Sequence, residues 1–194
     1  MNFKKIWKFI WHDDSLLSWI VNVILAFILV KFIIYPGLGL ILQTTYPVVA
    51  VVSSSMEHNE NFDMWWNNAQ SCYSEFNINK ENFNNYIIKN GFNKGDIMFL
   101  KSAKDINKGD IIVFRGNSNN PIIHRVVNVY GDNNLKYYQT KGDNYNTNCK
   151  SYPQLGETKI DQRNIIGKAF FRLPYLGWVK IGFTELINVF RGGN

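Results

Sequence analysis

The chain has few of the residues from which metal centres and disulfide scaffolds are made. Its 194 residues include two cysteines, Cys72 and Cys149, and three histidines, His12, His58 and His124. Two cysteines are too few for a disulfide scaffold, and these two are not at the spacing of zinc ligands. The sequence therefore predicts no metal site. It leaves two states open for the cysteines: a disulfide, in a domain outside the cytoplasm, or two free thiols.

The chain also lacks a long run of basic residues. Its formal net charge of +6 would suit an anionic partner such as nucleic acid or a lipid surface. The positive residues are scattered, however, apart from Lys4, Lys5 and Lys8 near the N-terminus. We therefore expect no nucleic-acid partner, and we interpret these three lysines as part of a cytoplasmic flank, residues 1–15, that precedes an apolar segment.

Residues 16–42 form that apolar segment, which holds roughly the 20 apolar residues needed to cross a bilayer. A buried helix or a cleaved signal peptide are the alternatives, but a signal peptide has a shorter apolar region and a cleavage site of small residues. The sequence predicts a transmembrane anchor in which Lys31 snorkels and Pro36 kinks or ends the helix. Because basic residues precede it, we expect the N-terminus inside the cell and the rest of the chain outside.

Residues 43–179 show a different pattern, in which short apolar runs alternate with Gly, Asn or Asp. Such runs are typical of β-strands separated by turns. The sequence therefore predicts a mainly β domain outside the membrane. The predicted strands lie within residues 47–52, 95–100, 109–116, 122–130, 136–143 and 165–179.

Two segments depart from the strand pattern. Residues 60–93 are rich in Asn, contain Trp65 and Trp66, and show helical periodicity only around residues 81–92. We predict an inserted loop there with one short helix that ends at Gly91. At the C-terminus, apolar and charged residues alternate from Trp178 onward, which predicts an amphipathic helix on the membrane surface over residues 180–194.

The serine run that follows the first predicted strand is a candidate nucleophile. A serine hydroxyl needs a base to take its proton, and the base benefits from an acid that orients it. Ser55, His124 and Asp143 lie at the end of one strand, within another and just after a third. The alternative is that Ser55 caps a turn, His124 lies in the core and Asp143 forms an Asx-turn. His58 lies too close to Ser55 in the chain to act easily as its base, so we expect a loop or substrate-edge residue.

The strings VVSSSMEH, KGDIMFL, KGDIIVFRG, PIIHRVV, YYQTKGDNYN and IIGKAFFRLPYLGWV occur in this order along the chain. Together with the preceding apolar segment, they resemble the type I signal peptidases over about residues 48–179. In that family a lysine at the position of the general base marks the usual bacterial form, whereas a histidine marks the archaeal and endoplasmic-reticulum form. Because His124 occupies this position, the chain resembles the histidine form.

The resemblance implies roles for five residues. Ser55 is the nucleophile, His124 the general base and Asp143 the supporting acid. Ser53 and Met56 belong to the oxyanion or substrate-binding region, where hydrogen-bond donors stabilise negative charge in the transition state.

Three positions depart from the family pattern. Ser54 stands where glycine is common, and His58 stands where proline is usual. Cys149 occupies the place of a second acid, so Asp143 is expected to act alone or with Asp161 as a substitute.

By this resemblance the fold is a signal-peptidase-like β domain, and the function is cleavage of signal peptides from exported preproteins by a membrane-anchored serine endopeptidase. No cofactor is implied, and the expected partners are preproteins, membrane lipid and the protein-export machinery. A self-cleaving protease of the SOS-repressor type is disfavoured, because those proteins are soluble and use a lysine base. The other alternative is an inactive, membrane-tethered binding or assembly subunit of an export complex that uses the Trp65–Trp66 loop for recognition.

Overall fold

The computed structural model describes residues 3–131, 135–178 and 181–182. It divides into two units, residues 1–41 and residues 42–194. The amphipathic helix expected at residues 180–194 lies outside the described residues, except for positions 181 and 182.

The first unit is helical. Helix α1 spans Phe3–His12, α2 spans Leu16–Leu29, a π-helical turn spans Val30–Ile34 and α3 spans Tyr35–Leu42. From Leu16 to Leu42 the chain is one apolar helical stretch of 27 residues, long enough to cross a membrane. The predicted apolar helix is therefore confirmed.

Pro36 does not end this helix, because the preceding turn adapts to it. A proline has no backbone N–H, and its ring clashes with the carbonyl four residues earlier. In the π-helical turn before Pro36 the N–H of Tyr35 bonds the carbonyl of Val30, five residues back. The wider turn relieves the clash and lets α3 continue.

The second unit is built on one antiparallel sheet. Its order is β1-β2-β7-β3-β4-β5-β6, so the prediction of a mainly β domain is confirmed. The strands are β1 Val48–Ala50, β2 Ile97–Lys101, β3 Ile111–Phe114, β4 Ile122–Gly131, β5 Lys136–Lys141, β6 Ile160–Asp161 and β7 Ile165–Leu173.

Strands β3, β4 and β5 lie next to one another in the sheet. All four residues of β3 are buried, as expected for an inner strand made of β-branched and aromatic residues. In the register of the sheet, Ile112 of β3 faces His124 of β4, and Arg125 of β4 faces Lys141 of β5. This pairing places His124 and Arg125, in the buried middle of β4, beside Lys141 of β5.

The insertion contains three helices, so the prediction of one short helix is wrong. They are α4 Phe62–Ala69, α5 Ser71–Ser74 and α6 Lys80–Asn84. Asparagines cap two of them: Asn61 accepts a hydrogen bond at the start of α4, and Asn79 forms a capping box at the start of α6. Capping accounts for part of the Asn content, because an asparagine side chain satisfies the free N–H groups of a first turn.

The tryptophan pair lies in the core of the insertion and not on its surface. Trp65 and Trp66 are 0% and 5% exposed, and they pack with Tyr73, Phe83 and Val127 of β4. This burial argues against the alternative in which the Trp65–Trp66 loop serves for recognition. Their burial fixes the insertion onto the sheet.

A disulfide joins Cys72 of α5 to Cys149, 77 residues further along the chain. Of the two states that the sequence left open, the structure shows the bonded one. The disulfide ties the insertion to the loop that follows β5.

Candidate active site

The serine run leaves β1 and forms a tight turn at the edge of the sheet. The N–H of Glu57 bonds the carbonyl of Ser54 at 3.1 Å, which closes the turn around Ser55. Ser55 is half-buried and Ser53 is exposed. Their hydroxyl oxygens are 3.2 Å apart, so one donates to the other. Met56 is 0% exposed and packs into the core beneath the turn.

The loop after β5 holds the serine turn through its backbone. The N–H of Asn144 donates to the carbonyl of Ser55 at 2.9 Å, and the Asn144 side chain donates to the carbonyl of Ser54 at 3.1 Å. A Cβ on Gly142 would lie 2.5 Å from the carbonyl oxygen of Ser55, a distance that real Cβ contacts do not reach. Only glycine lets the two segments approach this closely.

His124 lies in β4 close to this loop. Its neighbour Arg125 faces Lys141, and Lys141 is followed directly by Gly142, which contacts the Ser55 backbone. The His124 side chain is 3% exposed. In the part of the chain that the structure describes, the hydrogen bond of the Ser55 hydroxyl goes to Ser53 and not to this imidazole.

A buried glutamate contacts the other side of the imidazole. Oε1 of Glu157 lies 2.5 Å from Nδ1 of His124, and the Glu157 side chain is 0% exposed. The same oxygen lies 3.3 Å from the hydroxyl of Thr140, and Oε2 accepts from the backbone N–H of Tyr152 at 2.9 Å. A backbone bond from Thr140 N–H to the carbonyl of Glu157 joins this segment to β5. The carboxylate is therefore held from several sides.

Asp143, the acid expected from the sequence, lies in a different ion pair. Its oxygens accept hydrogen bonds from Arg125 at 2.6 and 3.0 Å and from the Tyr73 hydroxyl at 2.7 Å. Burial alone would raise the pKa of Asp143, but the charge and hydrogen bonds of Arg125 hold it well below the ordinary value. Asp143 is thus a carboxylate that locks the insertion to the sheet, because Tyr73 belongs to α5.

His58 also lies beside Asp143. Its ring stacks on Trp65 with centroids 3.6 Å apart, and its Nε2 lies 3.4 Å from Asp143 Oδ2. Burial lowers the pKa of His58, against the opposing effect of Asp143. His58 therefore lies in a loop, as expected, but its imidazole is buried against the insertion and does not line an exposed substrate edge.

The remaining candidate acid, Asp161, lies in β6 and pairs with Arg163. The Asp161 carboxylate accepts from the Arg163 side chain at 2.8 and 3.0 Å, and in the described residues it has no contact with His124. Its place in the sheet, opposite Tyr137, fixes it in this pair.

Comparison with known proteins agrees with the resemblance found in the sequence. No protein-family model matches the chain. It is 34% identical over 94 residues to the "Signal peptidase complex catalytic subunit SEC11C" of Homo sapiens, a match that covers 46% of this chain and 49% of the relative. It is 25% identical over 158 residues to the corresponding SEC11 subunit of Fusarium vanettenii, covering 79% of this chain and 73% of the relative. The chain is thus similar to signal peptidase catalytic subunits. It spans about half the length of the mammalian relatives.

Among the described residues, no group of three or more His, Cys, Asp or Glu side chains is arranged to hold a metal ion. The groups available for chemistry are a hydroxyl, a buried imidazole and a buried carboxylate. These are the parts that a serine hydrolase uses for acyl transfer.

Proposed function

We propose that the chain is a membrane-anchored serine endopeptidase that removes signal peptides from exported preproteins. Ser55 is the nucleophile and His124 is the general base. The observation that carries the proposal is the hydrogen bonding of the Ser55 turn to the loop at residues 142–144, next to the strand that carries His124. The similarity to signal peptidase catalytic subunits supports the same reaction.

Acyl transfer by these residues proceeds in two steps. The Ser55 oxygen attacks the carbonyl carbon before the scissile bond while His124 takes the hydroxyl proton, and His124 then gives that proton to the leaving amine. Water, deprotonated by His124, hydrolyses the acyl-enzyme and restores Ser55. In apo structures the bond between nucleophile and base is often longer than in the substrate complex. The Ser55 hydroxyl, bonded here to Ser53, therefore has to turn toward His124 when substrate binds.

Two donors near Ser55 fit the negative charge that develops on the substrate carbonyl. One is the backbone N–H of Ser55, and the other is the Ser53 hydroxyl, whose oxygen lies 3.2 Å from that of Ser55. A well-placed donor of this kind contributes about 3 kcal/mol to transition-state stabilisation. Met56, being fully buried, supports the turn from below and does not face the substrate.

The substrate binds in an extended conformation beside β1. This strand is at the edge of the sheet, so its free side can accept an added strand. Val52 and Ser53, which continue from β1 toward the nucleophile, are exposed. The preprotein backbone would run along them and present its scissile bond to Ser55.

The apolar helix Leu16–Leu42 anchors the enzyme in the cytoplasmic membrane in this proposal, with the N-terminus inside and the catalytic unit outside. The lysines of α1 support this orientation by the positive-inside rule. The names of the relatives include the word "complex", and we propose contacts with the protein-export machinery on that basis.

Cleavage of a preprotein by the purified full chain in detergent micelles tests the proposal. We expect Ser55→Ala and His124→Ala each to lower kcat/KM by at least about a thousandfold, because the nucleophile and base act as a unit. Ser71→Ala and His12→Ala are matched controls, since both side chains are exposed and lie outside the site. Their cleavage rates should equal that of the wild type.

The same experiment separates the enzyme from the inactive assembly subunit. Cleavage by Ser55→Ala and His124→Ala at the wild-type rate would show that these residues are not catalytic. No cleavage by the wild type, with a folded β domain by circular dichroism, would favour the inactive subunit.

A further inference from the structure

We propose that Glu157 is the positioning residue for His124, and that it takes over the acid role expected at Asp143. The inference rests on the proposed function, since it concerns the base of that reaction. It assigns a role to a residue for which the sequence motifs gave none.

The geometry of the pair is the first argument. Glu157 Oε1 lies 2.5 Å from His124 Nδ1, and the two side chains are 0% and 3% exposed. Water therefore does not compete for this contact. Because Tyr152 N–H and the Thr140 hydroxyl also hold the carboxylate, Glu157 cannot rotate away and the imidazole ring is fixed with it.

The chemistry of the pair is the second argument. An ionised carboxylate only accepts hydrogen bonds, so Nδ1 of a neutral His124 must carry the ring proton. The lone pair of Nε2 is then free to take the proton of Ser55. During the reaction the Nδ1 proton stays on the ring, Glu157 stays ionised, and its negative charge stabilises the imidazolium that forms.

The other candidate acids are engaged elsewhere, which is the third argument. Asp143 pairs with Arg125, and Asp161 pairs with Arg163. Position 149, where the family has a second acid, is a cysteine in the disulfide with Cys72. Among the described residues, Glu157 is the carboxylate that contacts His124.

The variant Glu157→Gln tests this role with little change of shape. The glutamine amide can donate to Nδ1 and thereby select the opposite tautomer, with the proton on Nε2. We expect kcat to fall roughly 10³- to 10⁴-fold while KM stays close to that of the wild type, since substrate contacts are unchanged. Glu157→Asp keeps the charge and should recover part of the lost rate. Asp161→Asn, which removes a neighbouring carboxylate from a surface pair, should cleave like the wild type.

A measurement of the imidazole itself distinguishes positioning from simple structural support. Long-range ¹H–¹⁵N correlation spectra of the full chain in micelles at pH 8 report the tautomer of each of the three histidines, and His124→Ala assigns the signal. The wild type should show the proton on Nδ1, and Glu157→Gln should show it on Nε2.

The proposal would be overturned by a wild-type cleavage rate in Glu157→Gln. A loss of rate with the wild-type tautomer retained would also overturn it, since Glu157 would then be structural only. These outcomes differ from a failure of the proposed function, which would appear as full cleavage by Ser55→Ala and would leave the tautomer measurement unaffected.

Discussion

At the scale of single residues, the interior holds three charged side chains next to one another: Arg125, Lys141 and Asp143. Arg125 and Asp143 form a hydrogen-bonded pair, whereas Lys141 donates to the carbonyl of Gly142 and lies 3.7 Å from the centre of the Tyr73 ring. Burial lowers the pKa of Lys141 to about 7, although Asp143 opposes the shift. Lys141 therefore loses its charge near neutral pH in the folded chain.

The shift of Lys141 predicts a pH-dependent stability. In the unfolded chain Lys141 stays protonated up to about pH 10.5, its ordinary pKa. In the folded chain the Lys141 amine loses its proton above about pH 7. Between these values the unfolded state binds more protons, so the free energy of unfolding should rise with pH, by at most about 1.4 kcal/mol per unit. Urea unfolding of the full chain in micelles at pH 7, 8 and 9 would measure this rise.

Lys141→Met is the control for that rise, because it keeps the length of the side chain and removes the titrating amine. The variant's free energy of unfolding should lack the rise that Lys141 contributes. The free energy of unfolding of the wild type minus that of the variant should therefore increase as the pH rises from 7 to 9. Parallel curves for wild type and variant would contradict the shifted pKa.

Some of the proposed site residues could be predicted from the sequence and others could not, for a physical reason. Ser55 and His124 stand in short local patterns, a serine run after a strand and a histidine inside one. Glu157 is 33 residues from His124 and follows a glycine turn, so nothing local separates it from an ordinary surface glutamate. The contact between Glu157 and His124 depends on how the segment before β6 pairs with β5. No short motif predicts strand pairing over such sequence distances.

At the scale of elements, the insertion is joined to the site by three kinds of contact. The Trp65 indole donates to the carbonyl of Asp143 at 3.1 Å, the Tyr73 hydroxyl donates to its carboxylate, and Cys72 is bonded to Cys149. All three reach the loop after β5, whose start holds the Ser55 turn. The insertion therefore braces the loop that holds the turn of Ser55, the proposed nucleophile.

Removing the disulfide should lower the free energy of unfolding of the second unit. The bond closes a loop of 77 residues, and the loss of loop-closure entropy in the unfolded chain predicts about 4.5 kcal/mol of stabilisation. The double variant Cys72→Ser, Cys149→Ser should unfold at a clearly lower urea concentration than the wild type. At 25 °C, while still folded, it should cleave at a rate within a few-fold of wild type, since neither cysteine takes part in the chemistry.

Single changes serve as the controls for the double variant. If the bond is what stabilises the fold, Cys72→Ser and Cys149→Ser should each lose about as much stability as the pair. A urea midpoint equal to that of the oxidised wild type in the double variant would contradict a stabilising role.

Strands were more predictable than the short helices, and their length explains the difference. Short, mainly apolar runs separated by Gly, Asn or Asp marked β2, β3, β4, β5 and β7 in the sequence. The two-residue strand β6 and helices of four or five residues such as α5 and α6 have no periodicity to detect. The two helices form because tertiary packing around Trp65 and Phe83 stabilises them, and β6 packs through Ile160 against Phe114 and Tyr138, which propensity alone does not reveal.

At the scale of the whole molecule, the apolar segment is the feature that the sequence revealed most directly. A run of this length needs no long-range pairing to be recognised, and the structure shows it as one helical stretch, Leu16–Leu42. If this helix anchors the chain in a membrane, it raises the local concentration of a membrane-bound substrate. An enzyme and a substrate held in the same bilayer meet in two dimensions, whereas a soluble peptide must diffuse to the membrane.

This argument predicts how cleavage depends on dilution when the full chain is reconstituted in vesicles. With a membrane-bound preprotein in the same vesicles, the initial fraction cleaved per unit time should stay constant as the vesicles are diluted tenfold, because the local concentration of both partners is unchanged. With the preprotein in separate vesicles, the same quantity should fall about in proportion to dilution. Ser55→Ala measures the background in both arrangements. Equal dilution curves for the two arrangements would show that the proposed anchor gives no advantage over free diffusion.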